Sequence, residues 1–246
     1  MKLWRSLLLV YREMDVRLLL GRDSVELREN YRCVERRTTE THRQRFHHIA
    51  GEREIADALD SFAGFPQLVF ELTKGAAKIE PVVIKVDQAL NSLTRESETR
   101  FWPSPDNVRS DLDRFAPAGK YHSIFILWPQ RDFKNGTAVP CDAWGLGMAA
   151  SKWSNGATYA AIANASSAAW TNETRGEVWL HEWLHGVCAH FAECGHLMPT
   201  RDADGGELHG YVRSSTGGWT DYYRDLMNGN VLENGKRFGI PSKAWS

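Results

Sequence analysis

Residues 171–191 read TNETRGEVWLHEWLHGVCAHF and contain the motif around which the rest of the chain is interpreted. His181, Glu182 and His185 stand in the order HEWLH, which matches the pattern HExxH. Two imidazoles four residues apart project from one face of a helix, where they can bind zinc beside a general base. The chain holds 9 His, and a random order of its composition would produce the pattern with a probability of about 0.02. We therefore take this stretch as the candidate active site.

The residues around the motif favour a helix. Thr171 or Asn172 can cap it, and Glu173 and Glu177 place negative charge near the positive end of its dipole. At about 100° per residue, four apolar side chains fall on one face and the two motif histidines on a neighbouring face. The apolar face consists of Leu180, Leu184, Val187 and Phe191. The histidines are thus expected to project together beside a buried apolar wall.

The motif predicts a metal-assisted hydrolysis. A catalytic zinc site typically has three protein ligands, with neutral imidazoles among them, and a water in the open position. Glu182 directly follows the first histidine, so its carboxylate is expected near that water rather than on the metal. It would accept the proton of the metal-activated water while the metal polarises the scissile carbonyl. The predicted reaction is hydrolysis of a peptide or related amide bond.

The third zinc ligand is not expected from the same helix unless the helix breaks at Gly186. His190 falls on nearly the opposite side from His181 and is interpreted as structural, and Cys188 as a small buried residue. A Gly-rich loop with several possible ligands follows the helix. We favour His209, in GELHGY, because the glycine that follows it would let the backbone bring its imidazole close. The other candidates in this loop are Glu207, in second place, then Asp204 or His196, and the loop also contains Asp202.

Composition and charge exclude several classes of function. The chain has 30 Lys+Arg against 31 Asp+Glu, so no overall charge favours nucleic acid or a membrane surface. No apolar segment reaches the roughly 18 to 20 residues that a membrane span needs. The apolar run Leu7–Val10 is shorter than a signal peptide requires. The literal expectation is a cytoplasmic protein, or a secreted one if a leader was removed.

Strands and a helix are predicted before the motif. Alternating runs on either side of Gly21-Arg22-Asp23 predict a pair of antiparallel strands joined by a turn at these residues. A helix is predicted from Glu52 to about Phe62, ended by Gly64-Phe65-Pro66. The apolar run Gln67–Thr73 fits either type of element, and Pro81–Leu90 is predicted as a strand.

The middle of the chain predicts a strand, a helix and a further strand. Ser104 and Pro105 are typical of a helix start, and Tyr121–Trp128 is typical of a central strand. This order favours a βαβ-like unit covered on one face. Residues 131–155 are interpreted as a long excursion that contains a short WGLGMA strand. The small residues of Ala157–Ala163 predict an edge strand, either an ordinary one or one that pairs with an extended ligand.

With these elements in place, the sequence resembles the zincin metallopeptidases and is specifically metzincin-like. The resemblance rests on HEWLH at His181–His185 and on Met227 in DLMNGNV, which is similar to the methionine turn beneath the metal in that clan. It covers about the last third of the chain. The resemblance implies an α+β fold in which a mixed twisted sheet packs on the active-site helix and an edge strand aligns the substrate. It also implies a single catalytic domain over residues 1–246, with N-terminal strands and helices in 1–170, and the zinc helix and an irregular or helical C-terminal part in 171–246.

The sequence departs from the metzincin pattern HExxHxxGxxH. Cys188 stands where that pattern has glycine, and Phe191 where it has the third histidine. A gluzincin-like arrangement with Glu207 as third ligand therefore stays open. In several zincins a tyrosine hydroxyl donates a hydrogen bond to the oxyanion that forms on the attacked carbonyl. The resemblance assigns this role to Tyr223, with Tyr211 as the rival.

Three functional hypotheses follow. The first is a zinc-dependent peptidase that acts on a peptide or protein, with Zn²⁺ as cofactor and Glu182 as general base. The second is a zinc amidase or deformylase-type hydrolase that acts on a small molecule. The third is a non-catalytic module that zinc stabilises.

Overall fold

The computed structural model describes residues 1–26, 36–172 and 174–245. In chain order, its strands and helices are β1 Lys2–Tyr11, β2 Glu13–Glu26, β3 Arg36–Ile49, α1 Glu52–Leu72, β4 Ala77–Val86, β5 Thr94–Arg95, β6 Phe101–Trp102, α2 Arg109–Phe115, β7 Ser123–Trp128, β8 Arg131–Asp132, β9 Thr137–Ala138, β10 Gly145–Met148, β11 Thr158–Ala163, α3 Ser167–Asn172, α4 Glu177–Glu193, α5 Thr220–Leu226, β12 Val231–Glu233 and β13 Lys236–Phe238. Short 3₁₀ turns cover Lys152–Ser154, Asp202–Asp204, Glu207–His209 and Ser242–Trp245.

A five-stranded mixed sheet carries the fold, with the strand order β10-β11-β7-β1-β4. The strands β4, β1, β7 and β11 run parallel, and only β10, at one edge, is antiparallel to its neighbour. Leu8 and Val10 point into the core on the side of α1 and α4, whereas Leu7 and Leu9 point into the core on the side of α2. Both faces are thus covered, which is why β1 is a continuous apolar run. The prediction of an α+β fold with a central mixed sheet is confirmed at this level.

The motif helix α4 spans Glu177–Glu193, and its predicted apolar face is buried. The predicted caps are wrong. Thr171 and Asn172 belong to the preceding helix α3, and Glu173 lies outside the described residues. The residue that precedes α4 is Gly176, with φ at 93°. A Cβ at this position would lie 2.5 Å from the backbone nitrogen of Phe65 in α1, so a glycine is required there.

The long ribbon β2–β3 confirms the predicted pair of antiparallel strands but not the position of its turn. Gly21, Arg22 and Asp23 lie within β2 and pair with residues 39–41 of β3. The connection between the two strands lies outside the described residues. β1 is a separate strand, parallel to β4 and β7.

Helix α1 is ten residues longer than predicted, since it runs through Gly64 and Pro66 to Leu72. Phe65, Leu68 and Val69 are buried, so burial of this second half outweighs the local helix-breaking signals. The prediction that Gly64-Phe65-Pro66 ends the helix is therefore wrong, and the ambiguous run after it is mostly helical. No helix of the described residues is long and apolar enough to cross a membrane.

The predicted central strand is confirmed as β7, in the middle of the sheet, and the predicted WGLGMA strand as β10. The strand predicted at 81–90 lies four residues earlier, as β4. Helix α2 begins at Arg109, because Ser104 bonds Asn107 in a preceding turn. β4, α2 and β7 form the expected parallel unit, with β1 between its two strands. The expectation that Ala157–Ala163 forms the edge is wrong, because β10 pairs beyond it.

Candidate metal centre and cleft

Helix α4 lies directly against the edge strand β10, and glycines allow this close approach. A Cβ at Gly147 would stand 2.2 Å from the backbone oxygen of Glu182, and one at Gly145 would stand 2.6 Å from Glu182 Oε1. On the helix side, a Cβ at Gly186 would stand 2.6 Å from the backbone oxygen of Met148. The WGLGMA segment is thus the part of the sheet that contacts the motif helix. The contact places Glu182 between the helix and the strand.

The structure brings three possible metal ligands together at this place. Ligand atoms of His181, His185 and Asp204 all lie within 4.8 Å of one another. Asp204 Oδ1 lies 3.4 Å from His181 Nε2, and Asp204 Oδ2 lies 3.9 Å from His185 Nε2. The histidine side chains are 26% and 21% exposed and the aspartate is 63% exposed, so the group opens to solvent on the aspartate side. We call these three residues the metal-ligand group.

Each histidine of the group has a partner on its other ring nitrogen. The Nδ1 atom of His181 lies 2.8 Å from the Tyr223 hydroxyl, and Nδ1 of His185 lies 2.7 Å from Asp202 Oδ1. Such partners fix the ring orientation and, when Nδ1 carries the proton, leave Nε2 free to ligate. Both Nε2 atoms accordingly face Asp204.

A strained turn positions the two aspartates. Arg201 and Asp202 adopt positive φ angles of 65° and 30°, which are uncommon for residues other than glycine. The Tyr222 hydroxyl donates to the backbone oxygen of Asp202, and the Ala203 N–H donates to Asp202 Oδ1 at 2.5 Å. The turn directs one carboxylate to His185 and the other to the open side of the group.

His209 does not belong to the metal-ligand group, contrary to the expectation. Its Nε2 atom donates to the backbone oxygen of Thr200 at 3.1 Å, and its ring stacks on that of Tyr222 at 6.2 Å. Glu207 and His196 also lie outside the group. The third member of the group is Asp204, which the sequence ranked behind His209 and Glu207. No periodic pattern reports a turn that depends on positive φ angles, so the sequence offered no signal for this choice.

Two side chains of α4 that the sequence did not favour as metal ligands also lie apart from the metal-ligand group. The ring of His190 packs edge-on against Trp4 at 6.1 Å. Cys188 is 1% exposed within the core. The structure thus agrees with their interpretation as packing residues.

Glu182 is 5% exposed, and its surroundings control its charge. Burial raises the pKa of Glu182 to about 7; the charge of Asp204 adds to this, while His185 and the Gly147 N–H oppose it. Burial, aided by the charge of His185, lowers the pKa of His181 to about 4. Burial acts to lower the pKa of His185 as well, but the hydrogen bond and charge of Asp202, together with Glu182 and Asp204, leave it raised. A carboxyl poised near neutral pH beside two imidazoles is suited to proton transfer.

Of the two candidate tyrosines, only Tyr223 faces the cleft. It is 1% exposed, and burial raises its pKa well above the ordinary value, so the hydroxyl keeps its proton. The rival Tyr211 donates its hydroxyl to Asp225 Oδ2 at 2.6 Å. Met227 follows α5 directly and is fully buried in the same hydrophobic cluster as Leu184.

A cleft of about 540 Å³ contains the metal-ligand group and Glu182. Pockets of roughly 300–1,000 Å³ are typical of ligand sites. The sequence interpretation named Asp202 only as a member of the loop and Trp144 only as part of the WGLGMA strand, and it assigned neither a role in the site. With the geometry established, comparison with models of known protein families, with curated proteins and with solved structures finds no match to the chain.

Proposed function

We propose that the protein is a zinc-dependent peptidase. The observation that carries this proposal is the convergence of His181, His185 and Asp204 within 4.8 Å, directly beside the buried carboxyl of Glu182 in an open cleft. Two imidazoles and a carboxylate with one exposed side agree with a catalytic rather than a structural zinc site.

The donor set fits zinc in two further respects. Both histidines are held at Nδ1, by Tyr223 and by Asp202, so that Nε2 is the atom presented. The burial-lowered pKa of His181 keeps that imidazole neutral, which is the form that ligates metals. His181, His185 and Asp204 would hold the ion.

The residues of the chain provide the proton transfers and the orientation. When bound, zinc supplies a Lewis acid that lowers the pKa of a water and polarises the scissile carbonyl. Glu182 accepts the proton of the attacking water at its carboxylate and returns it to the leaving amine. The Tyr223 oxygen accepts from His181 Nδ1, which leaves its own proton to be donated to the oxyanion. Asp202 holds the ring of His185 and favours its Nδ1–H tautomer.

The arrangement of the elements supports a zincin-like fold. A mixed sheet packs on the motif helix, and its antiparallel edge strand β10 lies beside that helix, where an extended substrate could align. The buried Met227 after α5 is consistent with a methionine turn. The third ligand departs from the metzincin pattern, because we place it at Asp204 in a separate turn rather than on the helix.

The decisive experiment replaces Glu182 with Gln. We expect unchanged zinc content and circular dichroism, and a fall in peptide hydrolysis of at least about 100-fold, since the general base is lost. Glu193→Gln, at the exposed end of the same helix, is the matched control and should keep full activity. A Glu182→Gln variant as active as the parent would exclude the mechanism.

A zinc amidase or deformylase-type hydrolase is the second candidate, because the cleft volume also suits a small molecule. Hydrolysis of N-formyl and N-acyl amides, with peptides left intact by the same preparation, would favour it over the peptidase.

A further inference from the structure

We propose that the cleft contains a pocket for one bulky apolar side chain of the substrate, and that Trp144 is the residue that determines this specificity. The inference rests on the proposed peptidase function. The pocket would bind the side chain of the substrate residue that lies next to the scissile bond. We call this region the apolar pocket and define it by Ala143, Trp144, Val178 and Trp219.

The apolar pocket lies to one side of the metal-ligand group. Its residues come from the first turn of α4, from the segment leading into β10 and from the residue that precedes α5. Among the described residues, the cleft lining includes no residue of α4 beyond His185. The cleft therefore extends from the group toward the amino-terminal end of α4. Selection by side chain should act on one side of the cleaved bond.

Trp144 presents apolar surface to this pocket. Its side chain is 39% exposed, although burial of an aromatic ring is worth several kcal/mol at roughly 25 cal/mol per Å². The backbone of Trp144 is fixed, because its carbonyl accepts the Ala163 N–H at 2.9 Å. The main chain that carries the ring is thus anchored to the sheet beside the cleft. A bound apolar side chain would cover it.

The opposite wall is also held in place. The carboxylate of Glu177, in the first turn of α4, accepts a hydrogen bond from the backbone N–H of Trp219 at 2.7 Å. A Cβ at Gly218 would stand 1.7 Å from Glu177 Oε2, so the chain there must be glycine to approach so closely. The two tryptophans come from separate segments, and each has a fixed backbone. This is the preorganisation that side-chain selection needs.

Two arginines, Arg100 and Arg213, line the cleft, but they do not make the pocket a binding site for an acidic side chain of the substrate. Arg100 already bonds Asp142 at 2.5 Å and lies 3.7 Å from Glu96. Arg213 is also engaged in an interaction within the chain. A substrate carboxylate would have to compete with these partners, whereas an apolar side chain would not. The pocket therefore favours Phe, Tyr, Trp, Leu or Met over Asp or Glu.

The first test is digestion of a randomised peptide library by the zinc-loaded protein. We expect bulky apolar residues to be enriched at one position adjacent to the cleaved bond. A Phe peptide should exceed its Ala counterpart in kcat/KM by about tenfold or more. Trp144→Ala should abolish most of this ratio, and Trp144→Phe should restore it. Trp153→Ala is the matched control, since Trp153 is 37% exposed and lies outside the cleft lining.

The second test does not depend on catalysis. The ¹⁵N-indole spectrum of the Glu182→Gln variant is titrated with N-acetylphenylalanine amide, and with the Ala and Asp amides for comparison. The Trp144 and Trp219 signals, assigned by single Trp→Phe replacements, should shift with the Phe ligand, and the Trp153 signal should not.

The two tests separate the pocket from the peptidase. Indole shifts without cleavage of any peptide would refute the peptidase and retain the pocket. Cleavage with an acidic preference, or with an apolar preference that Trp144→Ala leaves unchanged, would overturn the pocket.

Discussion

At the scale of single residues, burial of Glu182 affects both the stability of the fold and the pH at which its carboxyl can exchange a proton. The contact of α4 with β10 removes its carboxyl from water, and burial raises its pKa to about 7. A group that titrates near neutral pH can both take and return a proton under physiological conditions. The same burial makes the charged form unfavourable in the folded chain. The cost should therefore be visible as a pH-dependent loss of stability.

We expect this cost in the metal-free protein as a difference between the parent and Glu182→Gln. A carboxyl whose pKa is raised on folding binds its proton more tightly in the folded state. Its contribution is therefore lost as the pH rises from 4.5 through about 7. Over this window the free energy of unfolding of the parent should fall relative to the variant by about 3 kcal/mol. Urea unfolding in the presence of chelator, at several pH values, measures this difference.

The control for this measurement is Glu193→Gln, whose carboxylate is exposed at the end of the same helix. It should follow the parent at every pH. Parallel pH curves for the parent and Glu182→Gln would show that burial does not control the charge of Glu182.

Residues within the motif could be predicted because a helix fixes their spacing. His181 and His185 must share a face once the segment is helical, and Glu182 must follow the first of them. Asp204 could not be predicted in the same way. Its position depends on the positive φ angles of Arg201 and Asp202, which only the surrounding packing stabilises.

At the scale of elements, the environment of Glu182 depends on the distance between α4 and β10. The two elements touch through glycines, so no side chain separates Glu182 from the strand. Gly147 is the tightest of these positions, since its neighbour is the backbone oxygen of Glu182 rather than a flexible side chain. The strand therefore determines how deeply the carboxyl of Glu182 is buried.

Gly147→Ala should disturb both stability and activity. A Cβ 2.2 Å from a backbone oxygen forces the helix and strand apart, at a cost of about 3 kcal/mol, toward the upper end for overpacking. Thermal unfolding and peptide hydrolysis should both fall. Gly51→Ala is the matched control, because its Cβ would meet only the end of the Glu54 side chain at 3.2 Å. Wild-type behaviour of Gly147→Ala would mean that the contact is looser than described.

The elements themselves were predictable to different degrees. The strands β7 and β10 and the apolar face of α4 follow from local patterns, and the structure confirms them. Helix α1 passes through Pro66 because its second half buries Phe65 and Val69, and no local pattern reports that packing. The prediction of a turn at Gly21 is wrong because a local signal for a break was present where the strand continues. A glycine is tolerated inside the long ribbon β2–β3, although it is typical of a turn.

At the scale of the molecule, the sequence predicts a mixed sheet but not its strand order. β1 lies between β4 and β7, and β10 rather than β11 forms the edge. Order depends on pairings between distant segments, such as Lys2 with Ala77 and Ser6 with Ser123, which no local pattern contains. The metal-ligand group likewise depends on a contact that no local pattern contains, because it joins α4 to a turn that begins nine residues after the helix ends.

A bound ion that joins separate segments should stabilise the whole fold. A ligand that binds only the folded state raises the free energy of unfolding by about 2.7 kcal/mol at 100 times its dissociation constant. For a chain of this size we expect zinc to raise Tm by roughly 5–10 °C in calorimetry, and a chelator to reverse the rise.

Asp204→Ala should remove most of this shift. Since the Asp204 side chain is 63% exposed, the Tm of the metal-free variant should hardly differ from that of the parent. His209→Gln should keep the full shift, because His209 bonds Thr200 and not the metal-ligand group. The reverse result, a shift lost in His209→Gln and kept in Asp204→Ala, would assign the third ligand to His209 and require the loop to rearrange on binding.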